Sequence, residues 1–163
     1  MQYIITCPVH IDTSITLPAS KSISNRALII QALTKVGMMP ENLSDCDDTE
    51  VIIRGLSKQS DVIDIKAAGT AMRFMTAYLS ATDGEYTITG TERMKHRPIG
   101  ILVDALRYLG AEIEYVGEEG YPPLHIRGRQ LEGGSLQIPG NVSSQYISAL
   151  LMIAPILTKG LEL

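Results

Sequence analysis

Ile99, Leu102, Val103, Leu106 and Leu109 recur at intervals of three or four residues, the spacing that lines one face of an α-helix. Pro98 before them suits a first helical position, and Gly110 after them suits the residue past the last turn. The pattern therefore predicts a helix over Pro98–Leu109. Less regular patterns predict helices over Ser22–Lys35, Asp48–Lys58, Thr70–Ser80 and Ser143–Leu157. Between them lie short runs, β-branched or alternating, bounded by Gly, Pro or polar residues. These predict strands at Ser14–Leu17, Asp61–Ile65, Tyr86–Thr89, Ala111–Tyr115, Leu124–Arg127 and Ser135–Ile138. Tyr121-Pro122-Pro123 and Gly133-Gly134 mark turns between strands. Alternating short strands and helices indicate an α/β fold.

Two of the predicted helix starts look alike. Ile15-Thr16-Leu17-Pro18-Ala19-Ser20 leads into the first helix and Leu136-Gln137-Ile138-Pro139-Gly140-Asn141 into the last. Each runs strand, Pro, small residue, polar residue, then a Ser-rich start ending in Ala-Leu. Such similarity suggests a domain assembled from copies of one α/β unit. The chain stops at Leu163, just after Thr158-Lys159-Gly160, where another strand would start. That pattern reads as a truncated piece of a longer architecture.

Composition narrows the function. The 163 residues suffice for one domain with its own core. With no Trp and a single Phe, Phe74, that core must be built from Ile, Leu, Val, Ala and Met. A net charge of -4 gives no global pull toward nucleic acid or an anionic membrane. Any anion site must then come from local clustering. Cys7 and Cys46 form no CxxC pair and read as reduced thiols of a cytoplasmic protein. No basic segment followed by an apolar run marks a signal peptide. The most apolar stretch, Tyr146–Leu157, is too short to span a bilayer and reads as a buried helix.

The helix starts carry the candidate chemistry. A helix N-terminus bears about half a positive charge and several unpaired N–H groups, so cations there are unfavourable unless an anion arrives. Ser20-Lys21-Ser22-Ile23-Ser24-Asn25-Arg26 crowds two cations and three hydroxyls onto the first such end. A plain cap by Ser22 or Ser24, with the cations in water, is one reading; a phosphate cradle is the other. Ala68-Gly69-Thr70 opens the third helix, where a Gly turn with a Thr cap competes with close backbone approach to a ligand. Arg93-Met94-Lys95-His96-Arg97 sets three permanent cations before Pro98, with Glu92 beside them. A solvated basic loop competes there with anion binding. Ser143-Ser144-Gln145 fits a capping box at the last helix. Asp45, Asp47 and Asp48 cap and favour the second helix, and neither they nor His10, His96 and His125 have metal-ligand spacing. No P-loop and no dinucleotide fingerprint is present.

These segments resemble a known family. Leu17-Pro18-Ala19-Ser20-Lys21-Ser22-Ile23-Ser24-Asn25-Arg26-Ala27-Leu28 resembles the opening signature of the 5-enolpyruvylshikimate-3-phosphate synthases. Ala68-Gly69-Thr70-Ala71-Met72-Arg73 resembles their second signature. Arg93-Met94-Lys95-His96-Arg97-Pro98-Ile99, with Leu102-Val103-Asp104-Ala105-Leu106, resembles their third. Tyr121-Pro122-Pro123-Leu124 and Val142-Ser143-Ser144-Gln145 follow in order, so the likeness covers nearly the whole chain.

The resemblance implies a fold of two similar domains, each of three βαβαββ units. Residues 1–163 would supply about two units of one domain, and residues 1–14 would belong with the other. It implies transfer of the enolpyruvyl group of phosphoenolpyruvate to the 5-hydroxyl of shikimate-3-phosphate, without metal or organic cofactor, by a monomeric full-length enzyme. Lys21 would touch both substrates and assist proton transfer or charge stabilisation. Ser22, Arg26, Ser143, Ser144 and Gln145 would hold shikimate-3-phosphate. Gly69, Arg97 and Gln145, with Lys21, would hold phosphoenolpyruvate. The acidic catalytic groups would come from the other domain, so these residues alone would bind shikimate-3-phosphate without turnover. Two positions depart from the family pattern: Ala67 stands where Asn is usual, and Phe74 where Pro is usual. Both bear on phosphoenolpyruvate affinity and on the response to the phosphonate glyphosate. Two other readings compete: an enolpyruvyl transferase acting on a UDP-sugar, and a noncatalytic anion-binding module complete at Leu163.

Overall fold

The computed structural model describes residues 3–34, 37–57 and 60–163. Two helices come first, α1 (Lys21–Thr34) and α2 (Asp47–Leu56). Then follow β1 (Val62–Asp64), α3 (Gly69–Ser80), β2 (Gly84–Thr89), the single turn α4 (Glu92–Lys95), α5 (Gly100–Tyr108), β3 (Glu112–Tyr115) and β4 (Leu124–Gly128). The chain ends with β5 (Gly134–Ser135), α6 (Ser144–Ile153), a 3-10 turn (Ala154–Ile156) and β6 (Leu161–Glu162).

From β1 to β4 the order is βαβαββ, with α4 inserted before the second helix. The four strands form one sheet in the order β1-β2-β4-β3. β1 and β2 are parallel, joined across α3, and the other pairs are antiparallel. β5 and β6 are a parallel pair joined across α6, which repeats the opening βαβ of the first unit. The structure thus holds one complete unit and the beginning of a second.

Alternation fixes which face of the sheet is buried. Ile63, Tyr86, Ile88, Ile113, Leu124 and Ile126 face the helices and are almost fully buried. Glu85, Glu114, His125 and Arg127 occupy the intervening positions. There His125 and Arg127 pair with Glu85 at 3.0 and 3.5 Å, and Arg127 with Glu114 at 3.4 Å. These pairs are largely exposed and add little stability.

α3 is the central helix. Apart from half-buried Thr70, every residue from Gly69 to Ser80 is buried, as expected of a helix packed on all sides. It touches α1, α2, α5 and α6 as well as the sheet. Its hydroxyls are satisfied within the helix: Thr76 Oγ1 donates to the Met72 carbonyl and Ser80 Oγ to that of Thr76, each at 2.7 Å.

Several predicted elements differ from the structure. Ser14–Leu17 forms no strand; its residues are exposed and without a neighbouring strand among the described residues. A strand pattern needs an edge to pair with. The strand expected at Ser135–Ile138 is reduced to Gly134–Ser135. Pro98 is not the first helical residue, because α5 starts at Gly100 with Ile99 as its cap. The Pro98 carbonyl is instead occupied by two side chains from other helices. The ends expected at Lys35 and Lys58 lie outside the described residues.

Gly110 fulfils its expected role. Its φ of 99° lies in the left-handed region. The Gly110 N–H bonds to the Arg107 carbonyl and the Ala111 N–H to that of Leu106, the paired bonds that close a helix C-terminus. Gly110→Ala is expected to cost about 1–2 kcal/mol, measurable as a lower midpoint in urea unfolding.

Candidate active site

Arg26 shows how the helices are aligned. It lies five residues beyond the start of α1, and its guanidinium stands 5.2 Å from the centre of the Phe74 ring, five residues beyond the start of α3. The same guanidinium donates to Ser148 Oγ, four residues beyond the start of α6, at 3.0 Å. Toward the other ends, Leu33 shares one hollow with Met152 and Ile156 and another with Tyr78 and Ala81. The three helices therefore run the same way. At 1.5 Å per residue, their N-termini lie about 6–8 Å beyond the Arg26 contact, at one end of the molecule.

The start of α2 joins this end. Asp48 lies 3.7 Å from Lys21, and Thr49 Oγ1 donates to Asn25 Oδ1 at 2.8 Å. The first turn of α2 carries Asp47, Asp48 and Glu50, which suit the helix dipole as expected. Its cap position is Cys46, whose side chain makes no capping bond. Asp48 faces Lys21 rather than acting as the cap.

The start of α1 is capped by Ser20, not by Ser22 or Ser24. Ser20 Oγ accepts from the Ile23 N–H at 3.4 Å, and its carbonyl accepts from the Ser24 N–H at 2.9 Å. Ser24 is buried, and its hydroxyl accepts the Ser44 N–H at 2.9 Å, tying in the segment that leads to α2. Lys21 and Ser22 are exposed at the helix start. The other nitrogen of the Arg26 fork donates to the Ser22 carbonyl at 2.9 Å. A planar fork held by a carbonyl, a hydroxyl and an aromatic face has little freedom left.

A second cluster surrounds the start of α3, which has no side-chain cap: the cap position is Ala68. Thr70 lies inside the helix, and its hydroxyl accepts from Gln145 Nε2 at 3.2 Å. The Gln145 side chain therefore bridges two helix starts instead of closing the expected capping box. Ser143 does cap α6, its hydroxyl accepting the Gln145 N–H at 3.2 Å. Ser144 is exposed as the first residue of α6. The Arg97 guanidinium covers Gly69 so closely that a Cβ there would overlap it. Beside it opens a cleft of about 380 Å³ lined by Ala67, Thr91, Arg93, Met94 and Arg97. Ala67 therefore borders this cleft, whereas Phe74 lies beneath Arg26, away from it.

The basic segment is partly structured. Glu92–Lys95 forms a helical turn in which Lys95 pairs with Glu92 at 2.6 Å. That bond holds the exposed Glu92 carboxyl below its usual range. Among the described residues, Arg26, Arg73, Arg93 and Arg97 have no carboxylate partner.

Two further residues, Arg73 and Tyr146, carry no motif that marks them in the sequence as ligand contacts. Arg73 is buried; its Nη1 donates to the Gly69 carbonyl at 2.8 Å and its Nη2 to the Pro98 carbonyl at 3.1 Å. The Tyr146 hydroxyl donates to the same Pro98 carbonyl at 2.8 Å. Burial, and then the charge of Arg97, pull the Arg73 pKa below that of a free guanidinium. One signal was available: a permanent cation inside Ala71-Met72-Arg73-Phe74-Met75, an otherwise apolar run, needs a reason to be there.

The site thus has two linked parts. Lys21, Ser22 and Arg26 stand at the start of α1; Gly69, Arg97, Ser143, Ser144 and Gln145 stand where α3, the Arg97–Pro98 turn and α6 begin. Arg26 connects the parts through Phe74 and Ser148. Among the described residues no group of three His, Cys, Asp or Glu is placed to hold a metal, and no helix is long and apolar enough to cross a membrane.

The chain is similar to known proteins in sequence and in fold. Residues 53–163 match the family model of EPSP synthase (3-phosphoshikimate 1-carboxyvinyltransferase). A Bacteroides fragilis 3-phosphoshikimate 1-carboxyvinyltransferase is 65% identical over 163 residues, covering 100% of this chain and 40% of that protein. One from Shewanella oneidensis is 42% identical over 178 aligned positions, covering 93% of this chain and 42% of its own length. The chain spans about two fifths of the length of these relatives. The EPSP synthase structure from Acinetobacter baumannii superposes with a TM-score of 0.75 at 23% identity, over 88% of this chain and 38% of that one. Sequence match, shared topology and the ordered signature segments agree, and the chain belongs to the EPSP synthase family.

Proposed function

We propose that this chain carries the shikimate-3-phosphate pocket and part of the phosphoenolpyruvate pocket of an enzyme that transfers an enolpyruvyl group to the 5-hydroxyl of shikimate-3-phosphate and releases phosphate. The observation that supports this most is electrostatic. Arg97 lies over the start of α3, and Arg26 lies about one and a half turns below the start of α1; among the described residues neither has a paired carboxylate. Both substrates carry phosphate and carboxylate, and bringing such anions together is opposed by their repulsion. A cation about 4 Å from an anion near a protein surface offsets about 4 kcal/mol of it. Oriented N–H groups at the helix starts add to this without reorganising.

In this reading Ser22, Arg26, Ser143 and Ser144 hold shikimate-3-phosphate. Gln145 reaches between the acceptor ring and phosphoenolpyruvate. The Gly69 N–H and the Arg97 fork take the phosphoenolpyruvate phosphate. Lys21 sits between the substrates and stabilises charge or assists proton transfer. Its pairing with Asp48 keeps it at the helix start until the substrates arrive. Residues 3–14, exposed with Ile4, Ile5 and Val9 uncovered, belong with the second domain of the longer enzyme. The 163 residues alone bind shikimate-3-phosphate and do not turn over, because the acidic groups that move protons come from that second domain.

Calorimetric titration of the folded chain with shikimate-3-phosphate tests the proposal. Saturable binding supports it, while no heat at millimolar ligand, or tighter binding of a UDP-sugar, counts against it. Product formed by the isolated chain would contradict the assignment of the acidic groups elsewhere. Lys21→Ala is expected to weaken shikimate-3-phosphate binding about tenfold, through loss of a charge-assisted hydrogen bond. Its thermal midpoint should hardly move, because the ion pair removed is half exposed, with Lys21 at 50%. A large drop in that midpoint would show that Lys21 is structural.

A further inference from the structure

We infer that Arg73 is the positioning residue that holds Arg97 over Gly69. The inference rests on the functional reading above, in that Gly69 and Arg97 are taken as the phosphoenolpyruvate contacts.

Arg73 is 6% exposed, yet no carboxylate pairs with it. Its neighbours Ala71, Met72, Phe74 and Met75 are all buried and apolar. A buried charge without a counter-ion is unfavourable, and a Leu or Met would pack there without that cost. The guanidinium is therefore not explained by core packing.

Its geometry gives the alternative. One arm of the fork holds the Gly69 carbonyl and the other holds the Pro98 carbonyl. Gly69 opens α3, and Pro98 directly follows Arg97. A single planar group thus ties together the two backbone segments that carry the proposed contacts. Tyr146 reinforces the tie: its hydroxyl bonds to the same Pro98 carbonyl, and its ring lies 5.9 Å from the Arg73 guanidinium carbon. Because Tyr146 follows Gln145, the start of α6 is joined to the same point. Arg73 Nε has no hydrogen-bond partner, so the two backbone carbonyls are held by the terminal nitrogens of the fork. A lysine, a point charge without a fork, lacks the planar pair of nitrogens that meets the two carbonyls separately.

Electrostatics work in the same direction. Arg73 and Arg97 repel one another, and neither is neutralised by an acid. A doubly charged phosphate at Arg97 relieves that repulsion more than a singly charged group does. Arg73 therefore acts at one remove: it contacts backbone, while Arg97 contacts the ligand.

The test uses Arg73→Lys and Arg73→Met in the 163-residue chain, with nitrogen-15 relaxation read at the Arg97 Nε–Hε group before any ligand is added. Wild type should show an ordered Arg97 side chain and both variants a mobile one. Unchanged order in both overturns the inference, whatever the chain binds. Phosphoenolpyruvate is then titrated into the shikimate-3-phosphate-saturated chain while the Gly69 amide is followed. The midpoint in Arg73→Lys should rise about tenfold or more, the loss of one hydrogen bond to a charged group. The shikimate-3-phosphate midpoint should change by less than about twofold, since its proposed contacts lie elsewhere. Equal loss of both ligands in step with a lower thermal midpoint would mean that Arg73 only stabilises the fold, and would overturn the inference. If the wild-type Gly69 amide ignores phosphoenolpyruvate while the variants still loosen Arg97, the functional reading fails and the positioning role stands. Should Arg73→Met not fold, Tyr146→Phe removes only the second bond to Pro98 and should loosen Arg97 to a smaller extent; no loosening there or in Arg73→Lys would overturn the inference.

Discussion

Gly69→Ala is expected to lower affinity for phosphoenolpyruvate by about a hundredfold, the loss of two charge-assisted hydrogen bonds, while the chain stays folded. The added methyl overlaps the Arg97 guanidinium, which lies directly over this position. The overlapped group is the far end of a long, exposed side chain, so Arg97 is displaced from its place over Gly69 and no backbone has to move. The cost therefore falls on the ligand contact. Ala is also the better helix former at a helical position, which favours the fold slightly. Titrating phosphoenolpyruvate into the shikimate-3-phosphate-saturated chain measures the first effect, and thermal unfolding the second. Unchanged affinity would show that Arg97 does not need its position over Gly69.

The same substitution at Gly128 should have the opposite profile. Gly128 ends β4, and a Cβ there overlaps the carbonyl oxygens of Thr82 and Leu79. Both are backbone atoms at the end of α3, the helix around which the domain is packed. Neither can rotate away. The strand must move off the helix and disturb the packing of β4 on α3, where Ile126 and Leu79 are both fully buried. Gly128→Ala is expected to cost about 3–5 kcal/mol, at the upper end for single substitutions. Urea unfolding measures it, and a loss below about 1 kcal/mol would show that the strand has room to shift. The remaining, folded fraction should bind shikimate-3-phosphate normally, since Gly128 is remote from the helix starts.

The contrast shows which parts of the molecule are legible in the chain and which are not. β2, β3 and β4 were readable because one face is buried and the other charged, so Tyr86, Ile88, Ile113, Leu124 and Ile126 alternate with polar neighbours. α5 was readable from its stripe and from Gly110. The bounds of α3 were nearly right, but its burial on all sides leaves no stripe to show which residues face which neighbour. Ser14–Leu17 has a strand pattern and no strand to pair with, and pattern alone carries no information about the partner.

The candidate site divides in the same way. Cations at helix starts could be recognised because they oppose the helix dipole, as at Lys21, Arg26 and Arg97. That the starts of α1, α3 and α6 share one end depends on packing between residues as far apart as Arg26 and Ser148, which no local pattern contains. The sequence does not single out Ser20 as the cap of α1, because Ser20, Ser22 and Ser24 are chemically alike and only position decides between them. Pro98 looked like a helix start because its fixed φ suits one. Its carbonyl is instead the anchor for Arg73 and Tyr146, a backbone role that a side-chain alphabet does not reveal.

Titrating shikimate-3-phosphate into the nitrogen-15-labelled chain and following every backbone amide tests the central claim most directly. The account predicts saturable shifts concentrated at Lys21–Ile23 and Ser143–Gln145, with smaller ones around Gly69. Shifts centred on Ala32, Tyr78 and Ala81 at the far ends of the helices, or none at all, would contradict it.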